Sequence, residues 1–482
     1  MNLALYPHLL ARYEPERPAV VEANGAVVSY GQFETMARGI AHRLREAGLA
    51  RGDLCALAIR EDARHLAAIF AIWRLGAILL PLDWRSPPAE VETIAARFKP
   101  RLIVAAAGPI RPPSGVAPMA LEGPDPRPDE ALPVEPLDDD PALYALSSGS
   151  TGEPKAAIIT HRQHAARVMS YAVSYPLLRS DRYLSTLPIA YNWGRNIAIS
   201  HLCLGATLIL HPMLFAPADL VEAVERLQAT TIAVVPSVSH GLLRLPQTGR
   251  RLMERLRQYV SSGAPLYPEE RRAIRERVCA NLVEAYGSTE TGGICVLAPE
   301  DQERAPASAG RPAIGVELEV IGDDERALPP GEIGRIRCRG PGVIAGYLNG
   351  GASDNERIRG GWFYPGDYGR LDAEGFLFLE GRSNDIIKRG GYTIYASEIE
   401  RALAAHPAVA EATVVGVAAP ELGENIVAFV VLRAAADPRE LVNHCRLRLA
   451  GFKQPQQIKV VATLPRNAAG KVVKSALIGT KN

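Results

Sequence analysis

At 482 residues the chain exceeds what one hydrophobic core organises, so its length favours two or more domains. Its 47% apolar and 22% charged residues are ordinary globular values, and 54 Lys and Arg against 53 Asp and Glu leave no net field to recruit nucleic acid or a membrane surface. Six scattered cysteines without a C-x-x-C spacing argue against a disulfide framework or a structural zinc and suit a reducing cytoplasm, and the sequence offers neither an export signal nor an apolar run of about eighteen residues.

From Tyr30 to about Val104, helical periodicity over Gln32–Ala47, Ala63–Leu75 and Pro88–Arg97 alternates with apolar runs at Leu54–Ile59, Ala77–Pro81 and Leu102–Ala105. This alternation predicts βαβ units around a mostly parallel sheet. Within it, Leu66–Leu80 reads as a buried helix running into a strand. Gly108–Pro141, rich in proline and acidic residues, reads as an irregular surface connection. Helical runs at Pro217–Ala229 and Pro268–Cys279, with an apolar run at Thr231–Val235, extend the α/β pattern. Between Leu318 and Phe378, strand signals broken by Pro329-Pro330-Gly331, Gly340-Pro341-Gly342 and Gly360-Gly361 predict a small β-rich subdomain. The C-terminal stretch restarts the alternation with helices at Ala396–His406 and Pro438–Leu449 and strands at Val409–Val417 and Ile426–Leu432, the pattern of a separate α+β domain.

Four segments carry chemistry. Ser147-Ser148-Gly149-Ser150-Thr151-Gly152-Glu153-Pro154-Lys155 concentrates hydroxyls, glycines and a lysine in one loop, a composition able to wrap an anion with backbone N–H groups and meet polyphosphate with a compact positive charge. It is not the P-loop of NTPases, since Pro154 precedes Lys155 and Ala156 follows it; the competing reading is a plain Gly/Ser turn. Tyr286-Gly287-Ser288-Thr289-Glu290 can offer a hydroxyl to phosphate and a carboxylate to Mg²⁺, although Glu290 by itself reads as a solvated loop acid. Gly361-Trp362-Phe363-Tyr364-Pro365-Gly366-Asp367 sets an acid in an aromatic turn, where it can accept from both hydroxyls of a ribose or simply stabilise a β-turn. Pro465-Arg466-Asn467-Ala468-Ala469-Gly470-Lys471 presents a lysine on a glycine-containing loop.

In this order the segments resemble the adenylate-forming superfamily of acyl-CoA synthetases, adenylation domains and luciferases, closest in type to a stand-alone acyl/aryl-CoA ligase. The resemblance spans nearly the whole chain and includes Leu187-Pro188-Ile189-Ala190-Tyr191, Ser262-Gly263-Ala264-Pro265-Leu266, Gly310-Arg311-Pro312, Gly340-Pro341-Gly342 through Gly346-Tyr347, and Gly381-Arg382 running to Glu398-Ile399-Glu400. It implies an α/β fold: a large N-terminal domain of α/β sheets over residues 1–383, with the β-rich subdomain near 310–383, and a small mobile α+β domain over 384–482 that swings about Asn384. The implied reaction is ATP-dependent activation of a carboxylic acid to an acyl-adenylate, then transfer to the thiol of coenzyme A.

Residue by residue, the resemblance implies that Ser148, Gly149, Ser150, Thr151, Gly152 and Lys155 hold the β- and γ-phosphates. It gives Thr289 and Glu290 the phosphate and Mg²⁺, with Gly287 and Ser288 in the same motif. Gly263, Ala264, Pro265 and Tyr286 line the adenine slot, and Asp367 holds the ribose with Arg382 nearby. Lys471 bridges the substrate carboxylate and the α-phosphate, and the Gly390-Gly391 loop flanks the pantetheine tunnel. Tyr191, Asn192, Trp193 and Ser262 line the acyl pocket. The Ala190-Tyr191-Asn192 run is similar to that of aryl-acid adenylating enzymes, which implies an aromatic or hydroxylated acid read by Asn192; the alternative is Asn192 capping a helix. Arg195 is either a reader of a second carboxylate or a solvent-facing arginine. Departures from the family's usual pattern stand at Tyr191 for histidine, Pro365 for threonine, Ala156 for glycine and Asn384 for aspartate or lysine. Two alternatives stay open: loading a separate carrier protein's phosphopantetheine arm, and a non-catalytic nucleotide-binding relative, which the presence of Lys471 and Glu290 disfavours.

Overall fold

The computed structural model describes residues 2–106, 115–123, 125–135, 137–148, 154–247, 249–351, 356–466 and 472–478. Parallel pairing begins where the alternation does. Strand Leu54–Ala58 lies between Ile78–Pro81 and Leu102–Ala105, parallel to both, and all three are buried throughout, as the apolar runs require. Helix Ala63–Arg74 is buried along its whole length except at Arg64, and its one buried charge, Arg74, donates to Glu34 at 2.7 Å. The sheet is completed by the hairpin of Pro141–Ser148 and Pro154–Thr160 and, on its far edge, by Ala117–Met119. Gly108–Pro141 is therefore not wholly irregular. Ala117–Met119 adds a strand at an edge, where Pro118 is tolerated, and Leu121 and Leu137 are buried.

The second sheet has nine strands in the order Arg311–Pro312, Gly292–Leu297, Leu282–Ser288, Gln258–Ser262, Thr231–Val234, Arg182–Ser185, Thr207–Leu210, Pro18–Val21 and Val27–Ser29. Its centre is parallel and its edges antiparallel. Helices His161–Ser174 and Asn192–Leu204 pack against each other, the first reaching strands of both sheets, and the largest core cluster draws side chains from both sheets. The first of these helices opens on a reciprocal cap: Gln163 N donates to Thr160 Oγ1 and Thr160 N to Gln163 Oε1.

An antiparallel sheet of Glu317–Ile321, Gly334–Arg339, Ile358–Arg359, Trp362–Phe363, Asp367–Leu371 and Leu377–Arg382 follows. The last sheet combines Ile386–Arg389, Tyr392–Tyr395, Val409–Ala419, Gly423–Leu432 and Gln457–Val460 with helices Ala396–Ala404 and Pro438–Arg446 around a separate core that includes Ile394, Ile399, Val414 and Leu441. Helix Ala396–Ala404 rests on Leu377–Arg382, where Arg401 pairs with Glu380 at 2.8 Å and Ser397 Oγ donates to the Glu380 carbonyl. Among the described residues no helix is long and apolar enough to cross a membrane.

Candidate active site

The C-terminal ends of parallel strands are where α/β sheets gather ligands. Here the ends of Thr231–Val234, Gln258–Ser262 and Leu282–Ser288 carry Val235-Pro236, Gly263-Ala264-Pro265 and Tyr286–Glu290 to one rim. Gly263 takes φ +95°, a conformation that favours glycine, as the chain turns out of its strand. A cavity of about 130 Å³ opens beside Gly263, Ala264 and Pro265, and its opposite wall is Glu411, Arg466 and Val472 of the C-terminal sheet region.

Glu290 is held by a tight turn. Strands Leu282–Ser288 and Gly292–Leu297 approach so closely that a Cβ on Gly287 would fall 2.0 Å from the Gly292 carbonyl oxygen. Inside the turn Ser288 N donates to Thr291 Oγ1 at 3.1 Å, and Glu290 N donates to Ser288 Oγ at 3.2 Å. The Glu290 carboxylate is only 5% exposed, which corrects the expectation of a solvated loop acid. Tyr347 Oη donates to its Oε1 at 2.8 Å, and Arg357 Nη1 stands 3.8 Å from the same oxygen. Behind the turn, buried Arg167 donates Nε to Gly342 O (2.7 Å), Nη1 to Thr289 O (3.1 Å) and Nη2 to Glu290 O (2.8 Å).

Asp367 opens its strand and faces Arg382 across the register. Its carboxylate is nearly buried, accepts from Tyr286 Oη and lies 3.3 Å from Arg382 Nε. Burial raises its proton affinity, opposed by Arg382, by the Tyr286 hydrogen bond and by Arg357. Arg357 also donates Nη2 to Pro365 O at 3.1 Å, so one guanidinium spans the ground between Glu290 and the Asp367 turn. On the other side, Leu348 N donates to Ala156 O at 2.9 Å and Ile158 N to Gly346 O at 3.2 Å, which lashes Tyr347 to the strand that begins beside Lys155. Tyr347 and Arg357 thereby draw together the segments bearing Lys155, Glu290 and Asp367. Neither residue was singled out from sequence, and nor was Arg167; only the Gly340–Tyr347 stretch carried a signal.

The remaining candidates divide. Tyr191 is partly exposed and Trp193 packs against the main core. Asn192 does not cap its helix: Tyr191 occupies that position without a side-chain bond, and Asn192 Oδ1 accepts from Arg195 Nη2 at 3.2 Å. Arg195 is 1% exposed, not solvent-facing, and burial pulls its guanidinium down to about 9. Ser262 Oγ donates to Ala285 O at 2.7 Å. Gly390 and Gly391, both at positive φ, make the turn before Tyr392–Tyr395 and do not line the cavity, whereas the residues flanking the Lys471 loop do. Gly149, Ser150, Thr151, Gly152 and Lys471 lie outside the described residues, as do the side chains of Ser148 and Asn384.

Residues 9–348 match the AMP-binding enzyme family, and residues 398–471 match the AMP-binding enzyme C-terminal domain. The chain belongs to the AMP-binding enzyme family. This AMP-binding enzyme is similar to the indoleacetate–CoA ligase of Aromatoleum aromaticum, 33% identical over 93% of this chain and 92% of the relative. It is also similar to a fatty acid–[acyl-carrier-protein] ligase of Streptomyces coeruleorubidus, 30% identical over 97% of this chain and 94% of the relative. Among solved structures, the o-succinylbenzoate coenzyme A synthetase of Bacillus subtilis in complex with ATP and magnesium superposes with a TM-score of 0.86 at 28% identity, covering 98% of each chain. The family is that of the adenylate-forming, AMP-forming acid–thiol ligases.

Proposed function

We propose that this enzyme activates a carboxylic acid with ATP and passes the acyl group to the thiol of coenzyme A. The acid's oxygen attacks the α-phosphorus, the bond to the β-phosphate oxygen breaks and pyrophosphate leaves. The thiolate then attacks the acyl carbon and AMP departs with the bonding electrons. The observation that carries this reading is the meeting of the Lys155, Glu290 and Asp367 segments through Tyr347 and Arg357, beside a cavity walled by the residues flanking Lys471.

Asp367, fixed by Tyr286 and Arg382, accepts from the ribose hydroxyls; Gly263, Ala264 and Pro265 take the adenine; and Lys155, with the Ser148–Gly152 loop, takes the β- and γ-phosphates. Glu290 fits a hard divalent cation, being a buried carboxylate with a tyrosine hydroxyl orienting one of its oxygens. Mg²⁺ bound there would neutralise charge on the phosphates. Lys471 stabilises charge as the acid attacks. Rotation about Asn384 then withdraws it and brings Gly390-Gly391 to the thiol path, since one geometry cannot both exclude water and admit a thiol. Tyr191, Asn192 and Trp193 favour an aromatic or hydroxylated acid: with Oδ1 turned to Arg195, the Asn192 amide nitrogen is left as a donor for a ring hydroxyl.

The Streptomyces relative's acceptor favours a second reading, in which the thiol belongs to a carrier protein's phosphopantetheine. Pyrophosphate release measured across aliphatic, aromatic, hydroxyaromatic and dicarboxylic acids, with coenzyme A, with a phosphopantetheinylated carrier protein and with neither, separates the two. Absence of acid-dependent pyrophosphate release from every acid rejects both.

A further inference from the structure

The backbone that leads into Tyr191 is gripped from two sides. Glu61, in the turn after strand Leu54–Ala58, directs Oε1 at successive donors, Ile189 N at 2.8 Å and Ala190 N at 3.2 Å. Arg195 Nη1 donates to the carbonyls of the same two residues, at 3.3 Å to Ile189 and 2.8 Å to Ala190. Two peptide units thus stand between an anion and a cation, and each contact is charge-assisted. Among the described residues no carboxylate pairs with Arg195, so its buried charge is met by these carbonyls and by Asn192 Oδ1. A third feature fits the same segment to its helix: a Cβ on Gly194 would fall 2.4 Å from the Pro188 carbonyl oxygen, so this close approach needs glycine.

We propose that Glu61 and Arg195 are positioning residues that fix the Pro188–Tyr191 backbone and thereby set which acids the enzyme accepts. The inference rests on the assignment of Tyr191, Asn192 and Trp193 to the acyl pocket. It also gives Arg195 a role other than reading a second carboxylate, because its Nη1 and Nη2 are engaged within its own helix and the segment before it.

Glu61 titrates in a defined setting. Asp83 and Arg85 face it from the turn after Ile78–Pro81, Tyr191 stands beside Asp83, Arg195 lies beyond the gripped peptides, and Arg60 and Asp62 flank it on its own turn. Burial pushes the Glu61 carboxyl up to about 7, with its two N–H donors pulling the other way. Above that pH both N–H groups meet a full negative charge; below it they meet a neutral acid, and the grip weakens.

The test uses the full-length enzyme, with benzoate, hydroxybenzoate, indoleacetate and hexanoate as probe acids that stay predominantly ionised, their KM referred to the ionised form. KM and kcat for pyrophosphate release are measured from about pH 5.5 to pH 8.5. In the wild type the acid's KM rises several-fold as pH falls through 7 while the KM for ATP stays flat. Glu61→Gln, close to isosteric, holds the acid's KM at the wild-type low-pH level across the range. Glu61→Ala raises it further and changes the ratio of kcat/KM between benzoate and hexanoate about tenfold, with kcat little altered. A melting temperature for Glu61→Gln equal to that of the wild type excludes a folding defect. If the wild type activates acids and Glu61→Gln follows its KM profile at every pH, the positioning role is overturned and the proposed reaction stands. A wild type that releases no acid-dependent pyrophosphate overturns both.

Discussion

Arg167→Met keeps an unbranched buried stem and removes the guanidinium that ties Thr289 and Glu290 to Gly342. Three charge-assisted bonds of 2.7, 3.1 and 2.8 Å are lost from a site 2% exposed. At roughly 1.5–3 kcal/mol each they contribute roughly 5–9 kcal/mol. Against this, burial pulls the Arg167 guanidinium down from its ordinary value to about 10, a cost of about 3 kcal/mol for holding it charged. The Glu290 carbonyl also keeps a second donor, Ile344 N at 2.9 Å, so the lower part of the range applies. The expected loss is about 2–4 kcal/mol, read from the urea dependence of tryptophan fluorescence. Pyrophosphate release falls at least about tenfold in the same variant, because the turn that aims Glu290 loses its backing. Arg167→Lys, with one compact charge in place of a fork, recovers only part of the loss. An Arg167→Met protein within about 0.5 kcal/mol of the wild type would refute the reasoning, since a surface substitution does no more than that.

Lys471→Ala lowers acyl-adenylate formation by about 100-fold or more while thioester formation from supplied acyl-adenylate persists; equal loss of both half-reactions rejects the domain rotation. Glu290→Gln removes the charge that Tyr347 orients, and the Mg²⁺ concentration giving half-maximal pyrophosphate release rises about tenfold; an unchanged Mg²⁺ titration counts against Glu290 as the metal's ligand. Asp367→Ala deletes the proposed acceptor for the ribose hydroxyls, so the KM for ATP rises about 10- to 100-fold with the acid's KM unchanged. A larger effect on the acid would put Asp367 elsewhere in the site.

The parallel sheet around Leu54–Ala58 was readable in the sequence because its strands are continuous apolar runs and its helices are punctuated by turn residues. Helix His161–Ser174 went unrecognised because its pattern is inverted, with Met169 and Val173 exposed, and Asn192–Leu204, which entered only as a helix that Asn192 would cap, is buried along nearly its whole length and so lacks the exposed polar face on which amphipathic periodicity depends. His161, His164, Arg167 and Arg195 are polar side chains, yet all four are buried. The Thr160-x-x-Gln163 capping signature was the clue available for the first helix. At the candidate site, Tyr286 and Arg382, which hold Asp367, were named from sequence, but the groups that orient Glu290 were not. Tyr347 and Arg357 reach Glu290 across long sequence separations, and single tyrosines or arginines in loops carry no local signature.

Strand Pro154–Thr160 is the edge of its sheet, and the backbone that finally caps it, Gly346–Leu348, is made roughly 190 residues later, about 10–40 s of synthesis at ordinary ribosomal rates. A nascent chain therefore carries an open β-edge for that whole interval. Any truncation or pause upstream of Gly346 leaves that edge to pair with other chains, which makes the yield of this enzyme in a cell sensitive to translation speed and to chaperone supply in a way its finished stability would not reveal.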